Sequence, residues 1–352
     1  MSMLRLYLAI TFLLNGSMGY SQKSDGLQAA DAFIQKTADS FFTANKWPGL
    51  LIGVSNHNAR EYYSFGYADA NSKTAFTPQT LFEAGSITKT FTAYILEYVL
   101  AQKRISDTLH ILPFLPDSLK TNPTLQPIRF IDLLNHTSGL ERVPSGLSLA
   151  SADPYKTFDN KRFFEYLKTA PALTYGKYSY SNTGAALAGK LAEIISGQTF
   201  DDLLSKLILK EWKIEEKFTS RSVGMMEQTA TTYWDMSSFA PAGGLKATAS
   251  EMLNYLEYCI ESSSSFNKKI IDGLLIPTVP LNQAVAIGKG WHIYTNKKGK
   301  TIYWHNGGTY GFSTFAAFER ETCTALILVV NKFNQNQAAD RLALTILNKI
   351  LE

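Results

Sequence analysis

Gly85-Ser86-Ile87-Thr88-Lys89-Thr90-Phe91-Thr92-Ala93-Tyr94-Ile95-Leu96-Glu97-Tyr98-Val99 is the stretch on which the reading of the chain turns. Its apolar residues Ile87, Phe91, Tyr94, Ile95, Tyr98 and Val99 recur at three and four, which predicts a buried helix with Ser86 in its first turn. A helix start offers backbone N–H groups and the positive end of the dipole, and both favour an oxyanion. Lys89, three residues on, comes round to the face of Ser86. A lysine held against apolar packing loses proton affinity and can take the proton of a serine or hold a neighbouring anion. On the tetrapeptide alone Ser86 reads as readily as a helix-capping serine. The same spacing recurs in Ser265-Phe266-Asn267-Lys268, which follows a serine run and reads as a solvated loop.

Two further segments carry groups that complete such chemistry. Tyr175-Gly176-Lys177-Tyr178-Ser179-Tyr180-Ser181-Asn182-Thr183-Gly184 precedes a small-residue helix expected over Ala185 to Ile195, so Tyr180 and Asn182 fall in a loop entering a helix. A tyrosine beside a lysine can share its proton: an ammonium stabilises a phenolate, which serves as base toward a serine and as acid toward a leaving group. Asn182 offers a donor and an acceptor, suited to a substrate amide. By itself the segment is equally a turn with an aromatic plug. Near the far end, His305-Asn306-Gly307 is followed by Gly308 at the close of an expected strand.

The elements around these motifs define a fold class. Gln28 to Asn45 reads as an opening helix through Ala29, Ala32, Phe33, Ala38, Phe41 and Phe42. Leu50 to Ser55 and Tyr62 to Tyr67 read as a hairpin around Asn56-His57-Asn58. Gly290 to Thr295 pairs with Thr301 to His305, Phe312 to Phe318 with Thr324 to Asn331, and a last helix runs from Gln337 to Leu351. Strands lie at both ends and the middle, roughly Phe91 to Tyr233, is helical with Pro-marked loops. The expectation is an α/β (α+β) fold: an antiparallel sheet built from both chain ends and flanked by helices, with an inserted helical region. Residues 22–352 then form one hydrolase-sized unit, with a sheet part near 22–90 and 240–352 and a helical part near 91–239.

The flanking words make a family visible. Leu133-Leu134-Asn135-His136-Thr137-Ser138-Gly139-Leu140, the Tyr180 segment, Pro241-Ala242-Gly243-Gly244-Leu245-Lys246-Ala247-Thr248-Ala249 and Gly311-Phe312-Ser313 stand in one order with Ser86-Ile87-Thr88-Lys89. Together they resemble the penicillin-recognising serine hydrolases of the class C beta-lactamase, DD-peptidase and esterase type, from about Asp31 to Asn331. The resemblance implies Ser86 as acylated nucleophile, activated by Lys89 and Tyr180. It also implies substrate contacts by Asn182, His305, Asn306 and Gly308, with the N–H groups of Ser86 and Gly308 as oxyanion hole. It gives His136 no catalytic part, so that histidine reads as structural. The relatives commonly present Lys-Thr-Gly where this chain has His305-Asn306-Gly307. A histidine supplies only part of a positive charge at neutral pH, and Asn306 lacks the threonine hydroxyl. That difference leans away from strong lactamase action, toward a DD-peptidase or a broad carboxylesterase; a non-catalytic scaffold or sensor is disfavoured because Ser86, Lys89 and Tyr180 are all present.

Composition bounds the partners. A net charge of +4 and 18% charged residues, without basic runs interleaved with aromatics, speak against nucleic acid. The substrate expected is a small molecule or short peptide, with neither metal nor organic cofactor: the five histidines lack zinc-ligand spacing and there is no Gly-x-Ser-x-Gly elbow. Arg5, the apolar run Leu6 to Leu14 and the small residues Gly16, Ser17, Gly19 and Ser21 read as a signal peptide over 1–21, cleaved before Gln22. The run is half the length of a membrane span and no cysteine follows it, so a secreted or periplasmic protein without a membrane anchor is expected. Cys259 and Cys323, read as lying on a helix and a strand in different parts of the fold, are expected to be buried and unpaired.

Overall fold

The computed structural model describes residues 25–69, 71–171, 174–209 and 233–352. The expected signal peptide lies outside them. The strands are β1 (Gly49–Asn56), β2 (Ala59–Asp69), β3 (Thr74–Ala75), β4 (Phe82–Glu83), β5 (Lys246–Ala247), β6 (Val279–Pro280), β7 (Val285–Ile287), β8 (His292–Thr295), β9 (Thr301–Gly308), β10 (Ser313–Glu319) and β11 (Thr324–Val330). The helices are α1 (Asp25–Asn45), α2 (Thr88–Gln102), α3 (Phe130–Leu134), α4 (Asn160–Thr169), α5 (Asn182–Ser196), α6 (Phe200–Leu204), α7 (Ala240–Gly243), α8 (Ala249–Ile260), α9 (Ser265–Leu274) and α10 (Asn336–Ile350).

The expected fold class is borne out. One antiparallel sheet runs β3-β2-β1-β11-β10-β9-β8-β7-β6, so the pairing of β1 with β11, Leu50 opposite Val330, joins the two ends of the chain. Both strands are buried along their whole length, which is why they read as unbroken apolar runs rather than alternating ones. Leu50, Ile52, Leu326 and Leu328 face α1 and α10, while Leu51, Ile327 and Val329 face the larger core that holds α2 and α8. β4 and β5 form a separate two-stranded piece at the entrance to α2.

Three local expectations change. The buried stripe of α1 is Leu27, Ala30, Ile34 and Ala38, with Phe33 on the exposed side: the small and branched residues lie close against the sheet and leave the phenylalanine outside. Ser265-Phe266-Asn267-Lys268 is the first turn of α9 and not a loop. Ser264 caps it, accepting from Asn267 N at 3.3 Å, and Ile270, Ile271 and Leu274 supply its buried face. Ser265 and Lys268 nevertheless point to solvent, with Lys268 paired to Asp272 at 2.8 Å. Cys323 lies in the turn between β10 and β11, with φ +47°, and not on a strand. It is half-buried and free, as buried Cys259 is free. Both bond to Arg320: its Nε donates to the Cys259 carbonyl at 3.1 Å, and Cys323 Sγ donates to the Arg320 carbonyl.

Candidate active site

Ser86 stands between a tight turn and a buried helix. Gly85, at φ +56°, swings the chain out of β4; residues Gly85–Ile87 make a single 3-10 turn, and the regular α2 starts only at Thr88. Ser86 thus precedes the first α-helical turn by two residues. The turn is pinned on both sides, because Thr88 Oγ1 donates to the Gly85 carbonyl at 2.6 Å and accepts from Leu245 N at 3.1 Å. α2 is buried from Thr88 to Leu96 without a break, the mark of a helix at the centre of a core.

Two backbones meet at this turn. A Cβ on Gly85 would stand 2.7 Å from the Gly308 nitrogen, and one on Gly307 would stand 2.0 Å from the Ala84 carbonyl oxygen. Only glycine at both places lets β9 lie this close to the turn that carries Ser86, with the Gly308 nitrogen against Gly85. Thr314 Oγ1 holds the approach by donating to the Ala84 carbonyl at 3.0 Å.

Lys89 is almost wholly enclosed. Its Nζ donates to Ser86 Oγ at 3.0 Å and to the Ala242 carbonyl of α7 at 2.6 Å, and it lies 4.9 Å from the centre of the Tyr180 ring. Burial, and then repulsion from Arg142, hold its pKa well below the ordinary lysine value. Tyr180 shifts the other way: burial raises the phenol, and the facing Ser86 hydroxyl offsets this only in part. These directions correct the expectation of an ammonium–phenolate pair. Both shifts run toward the uncharged forms, the amine for Lys89 and the phenol for Tyr180.

The Tyr180 loop is held from behind by His136, which adopts φ +63°. His136 Nδ1 accepts from Ser181 N at 3.2 Å and its carbonyl accepts from Ser179 N at 2.8 Å, while its ring lies 4.4 Å from that of Tyr180. Ser181 caps α5, accepting from Gly184 N at 2.9 Å. Asn182 Nδ2 donates to the Tyr155 hydroxyl at 3.3 Å, and its Oδ1 is buried without a protein partner among the described residues. Ser86, Tyr180, Asn182 and Gly308 border one cleft of about 1060 Å³, walled also by Arg142, Tyr155, Tyr178, Trp234, Met236, Trp304, Thr309 and Tyr310.

A family model described as Beta-lactamase matches residues 31–349 of the chain. The chain belongs to the beta-lactamase family. A beta-lactamase of Lysobacter lactamgenus is 23% identical over 91% of this chain and 91% of its own length. That of Escherichia coli (strain K12) is 24% identical over 92% and 94%. The crystal structure of a class C beta-lactamase from Rhodobacter sphaeroides superposes with a TM-score of 0.78 over 91% of this chain and 99% of that one, at 19% identity, and so shares the fold. Membership makes the chain a serine hydrolase.

Within this beta-lactamase family frame the β9 wall is where expectation and geometry part. His305 is 1% exposed, and burial, His292 and Lys89 in that order hold its pKa well below the usual imidazole value. That direction runs against the partial cation expected there: among the described residues the charged groups that act on the ring, His292, Lys89 and His136, are themselves basic. His305 Nδ1 lies 2.6 Å from the Asn306 carbonyl, which assigns the proton to Nδ1; Nε2 is then an acceptor, buried and unpartnered among the described residues. The Asn306 side chain is directed to α10, where Nδ2 donates to Asp340 Oδ2 at 2.6 Å. Its amide is thereby engaged away from the nucleophile, as strand alternation requires of a residue next to inward-facing His305. Sequence reasoning missed His292, whose ring lies 5.0 Å from that of His305 and which burial brings down to about 4. It gave Arg142 no role either, since lone loop residues carry no periodicity that would have singled them out. Among the described residues no group of His, Cys, Asp and Glu is arranged to hold a metal ion, and no helix is long and apolar enough to cross a membrane.

Proposed function

We propose that the chain is an exported serine hydrolase that forms an acyl-enzyme at Ser86, with D-amino-acid peptides or beta-lactam-like amides as substrates. The supporting observation is the 3.0 Å contact between Lys89 Nζ and Ser86 Oγ in a site whose burial lowers the lysine pKa, beside two backbones packed through Gly85 and Gly307. Lys89 takes the Ser86 proton as Oγ attacks the substrate carbonyl carbon. The carbonyl oxygen becomes an oxyanion between the N–H groups of Ser86 and Gly308. As the tetrahedral species collapses, the bond to the amine or alkoxide breaks; Tyr180 gives that group its proton and is reprotonated by the Lys89 ammonium. Water, deprotonated through the same pair, then cleaves the ester and returns the proton to Ser86. Asn182 holds the substrate amide through its open Oδ1.

The beta-lactamases named above support the amide reading. A neutral β9 wall favours a second reading within the same chemistry, a broad-specificity carboxylesterase, since nothing on that strand calls for a substrate carboxylate. Export rests on the leader-like first 21 residues. The test is intact mass of the protein and of Ser86→Ala, followed in time with benzylpenicillin while drug loss is measured. A Ser86-dependent adduct supports the proposal, and its lifetime separates peptidase from lactamase behaviour. No adduct and no turnover, with Ser86-dependent cleavage of simple esters, replaces it by the esterase reading. Acylation should rise with pH through the depressed pKa of Lys89 and level off before the ordinary lysine range.

A further inference from the structure

The cleft has an unusual charge inventory. Its described lining contains no aspartate or glutamate, and His292, held down to about 4, is uncharged at neutral pH. Arg142 is the one lining side chain with a permanent charge. It is exposed, and its guanidinium makes no hydrogen bond or ion pair with the described residues. It is nonetheless held in place: its carbonyl accepts from Asn182 N at 2.9 Å, and its Cζ stands 5.0 Å from the centre of the Tyr180 ring. Lys89 leans on the same ring, so Arg142 is anchored beside the reacting groups and remote from none of them.

We infer that Arg142 is the anion reader of this cleft, and that the substrates carry a carboxylate outside the scissile bond which this guanidinium binds. The inference rests on the serine-hydrolase reading above and narrows its substrate class. A guanidinium presents a planar fork that matches a carboxylate bidentately and stays charged at every working pH. Stacking on Tyr180 orients the fork before substrate arrives, which lowers the ordering cost of binding. Aromatic walls at Tyr155, Tyr178, Trp234 and Tyr310 offer neither a competing anion nor a second cation, so an ion pair formed here is less diluted than one on open surface. Recognition of charge is thus placed across from β9, where His305 is neutral and the Asn306 amide is already engaged.

Two matched ester pairs test this with the full chain. In the first, the carboxylate is on the acyl side: the p-nitrophenyl hemiester of glutarate against p-nitrophenyl pentanoate. In the second it is on the leaving group: 3-acetoxybenzoate against its methyl ester. The readout is the ratio of kcat/KM within each pair for the wild type, Arg142→Ala and Arg142→Lys, a ratio that cancels any difference in folded fraction. The expected result is a wild-type preference for the anionic member of one pair. That ratio falls about tenfold in Arg142→Ala, is partly restored in Arg142→Lys, and shrinks with added salt. The responding pair tells on which side of the scissile bond the anion sits. Equal losses for both members of both pairs would overturn the inference and leave Arg142 as a support for Tyr180. If none of the four esters is cleaved in a Ser86-dependent way, the proposed acyl transfer at Ser86 fails, and this inference with it.

Discussion

The two walls of the cleft are built on different principles. The Ser86 wall is over-determined: a left-handed glycine, a threonine bonded on both sides, a lysine with two acceptors and a tyrosine braced by a histidine fix every reacting atom. The β9 wall is a permissive surface, in which the backbone of Gly307 and Gly308 is constrained but the side chains of His305 and Asn306 are paired locally. The contrast teaches that chemistry in this chain is specified by close packing, whereas recognition is left to whatever side chains happen to face the space.

The comparison can be broken most severely at the nucleophile. Ser86→Ala should lower acyl transfer by at least about a thousandfold with thermal unfolding unchanged, because the hydroxyl bears the covalent step and little of the packing; retained turnover in a steady-state assay would refute the over-determined wall outright. Next is Gly307→Ala. Its methyl would meet the Ala84 carbonyl oxygen at 2.0 Å, so β9 must retreat from the turn. We expect about 2–3 kcal/mol of destabilisation from overpacking and about a hundredfold loss of acylation rate from the displaced donor. Denaturant melts and stopped-flow acylation check the two numbers, and a variant with both intact would show that β9 is not constrained there.

Proton linkage sharpens the contrast at smaller scale. His136, His292 and His305 are all held neutral by burial, His292 down to about 4 against 6.5 when free. Unfolded chains bind protons at these sites first, so stability should be lost as pH falls from about 6.5 toward 4. Melting temperatures across that range should drop, and should drop less steeply in His292→Asn. Asp340 is the opposite case: burial raises it to about 7, with the Asn306 amide opposing the shift. Its burial therefore costs stability in full above about pH 7, and the cost shrinks as pH falls from there and is gone below the ordinary carboxyl value of 3.8. Asp340→Asn should gain about 1 kcal/mol at pH 8 and less at pH 5, a difference that melts at the two pH values would expose.

What the sequence revealed follows the same division. Ser86, Lys89 and Tyr180 were legible because each belongs to a short word with its own local cause, a helix entrance or a capped loop. The sheet was legible because β1, β2, β8, β9, β10 and β11 are apolar runs between polar turns. Cys323 was misplaced because Thr322 and Thr324 on either side continue the β-branched pattern through a turn, and φ +47° leaves no mark in composition. The second Ser-x-x-Lys was misread because its cap, Ser264, hid in a run of serines. The protonation of Lys89, Tyr180 and His305 was beyond reach, since it depends on how completely distant elements close over them. Arg142 was invisible as a recognition group for the same reason: the chain had to fold before its guanidinium could be seen to stand alone among neutral neighbours.

The meeting of Gly85 with Gly307 and Gly308 also sets a clock. The nucleophile is synthesised early and its partner strand more than two hundred residues later, and β9 is held in place by β10, which is held by β11 against β1. A nascent chain that has already made its serine, lysine and tyrosine still lacks half of the oxyanion pocket. Long-range closure of this kind is slow compared with helix formation, so on the reading proposed above the second oxyanion donor is the last part of the site to arrive, set by the docking of β9 and not by the order in which Ser86, Lys89 and Tyr180 are made.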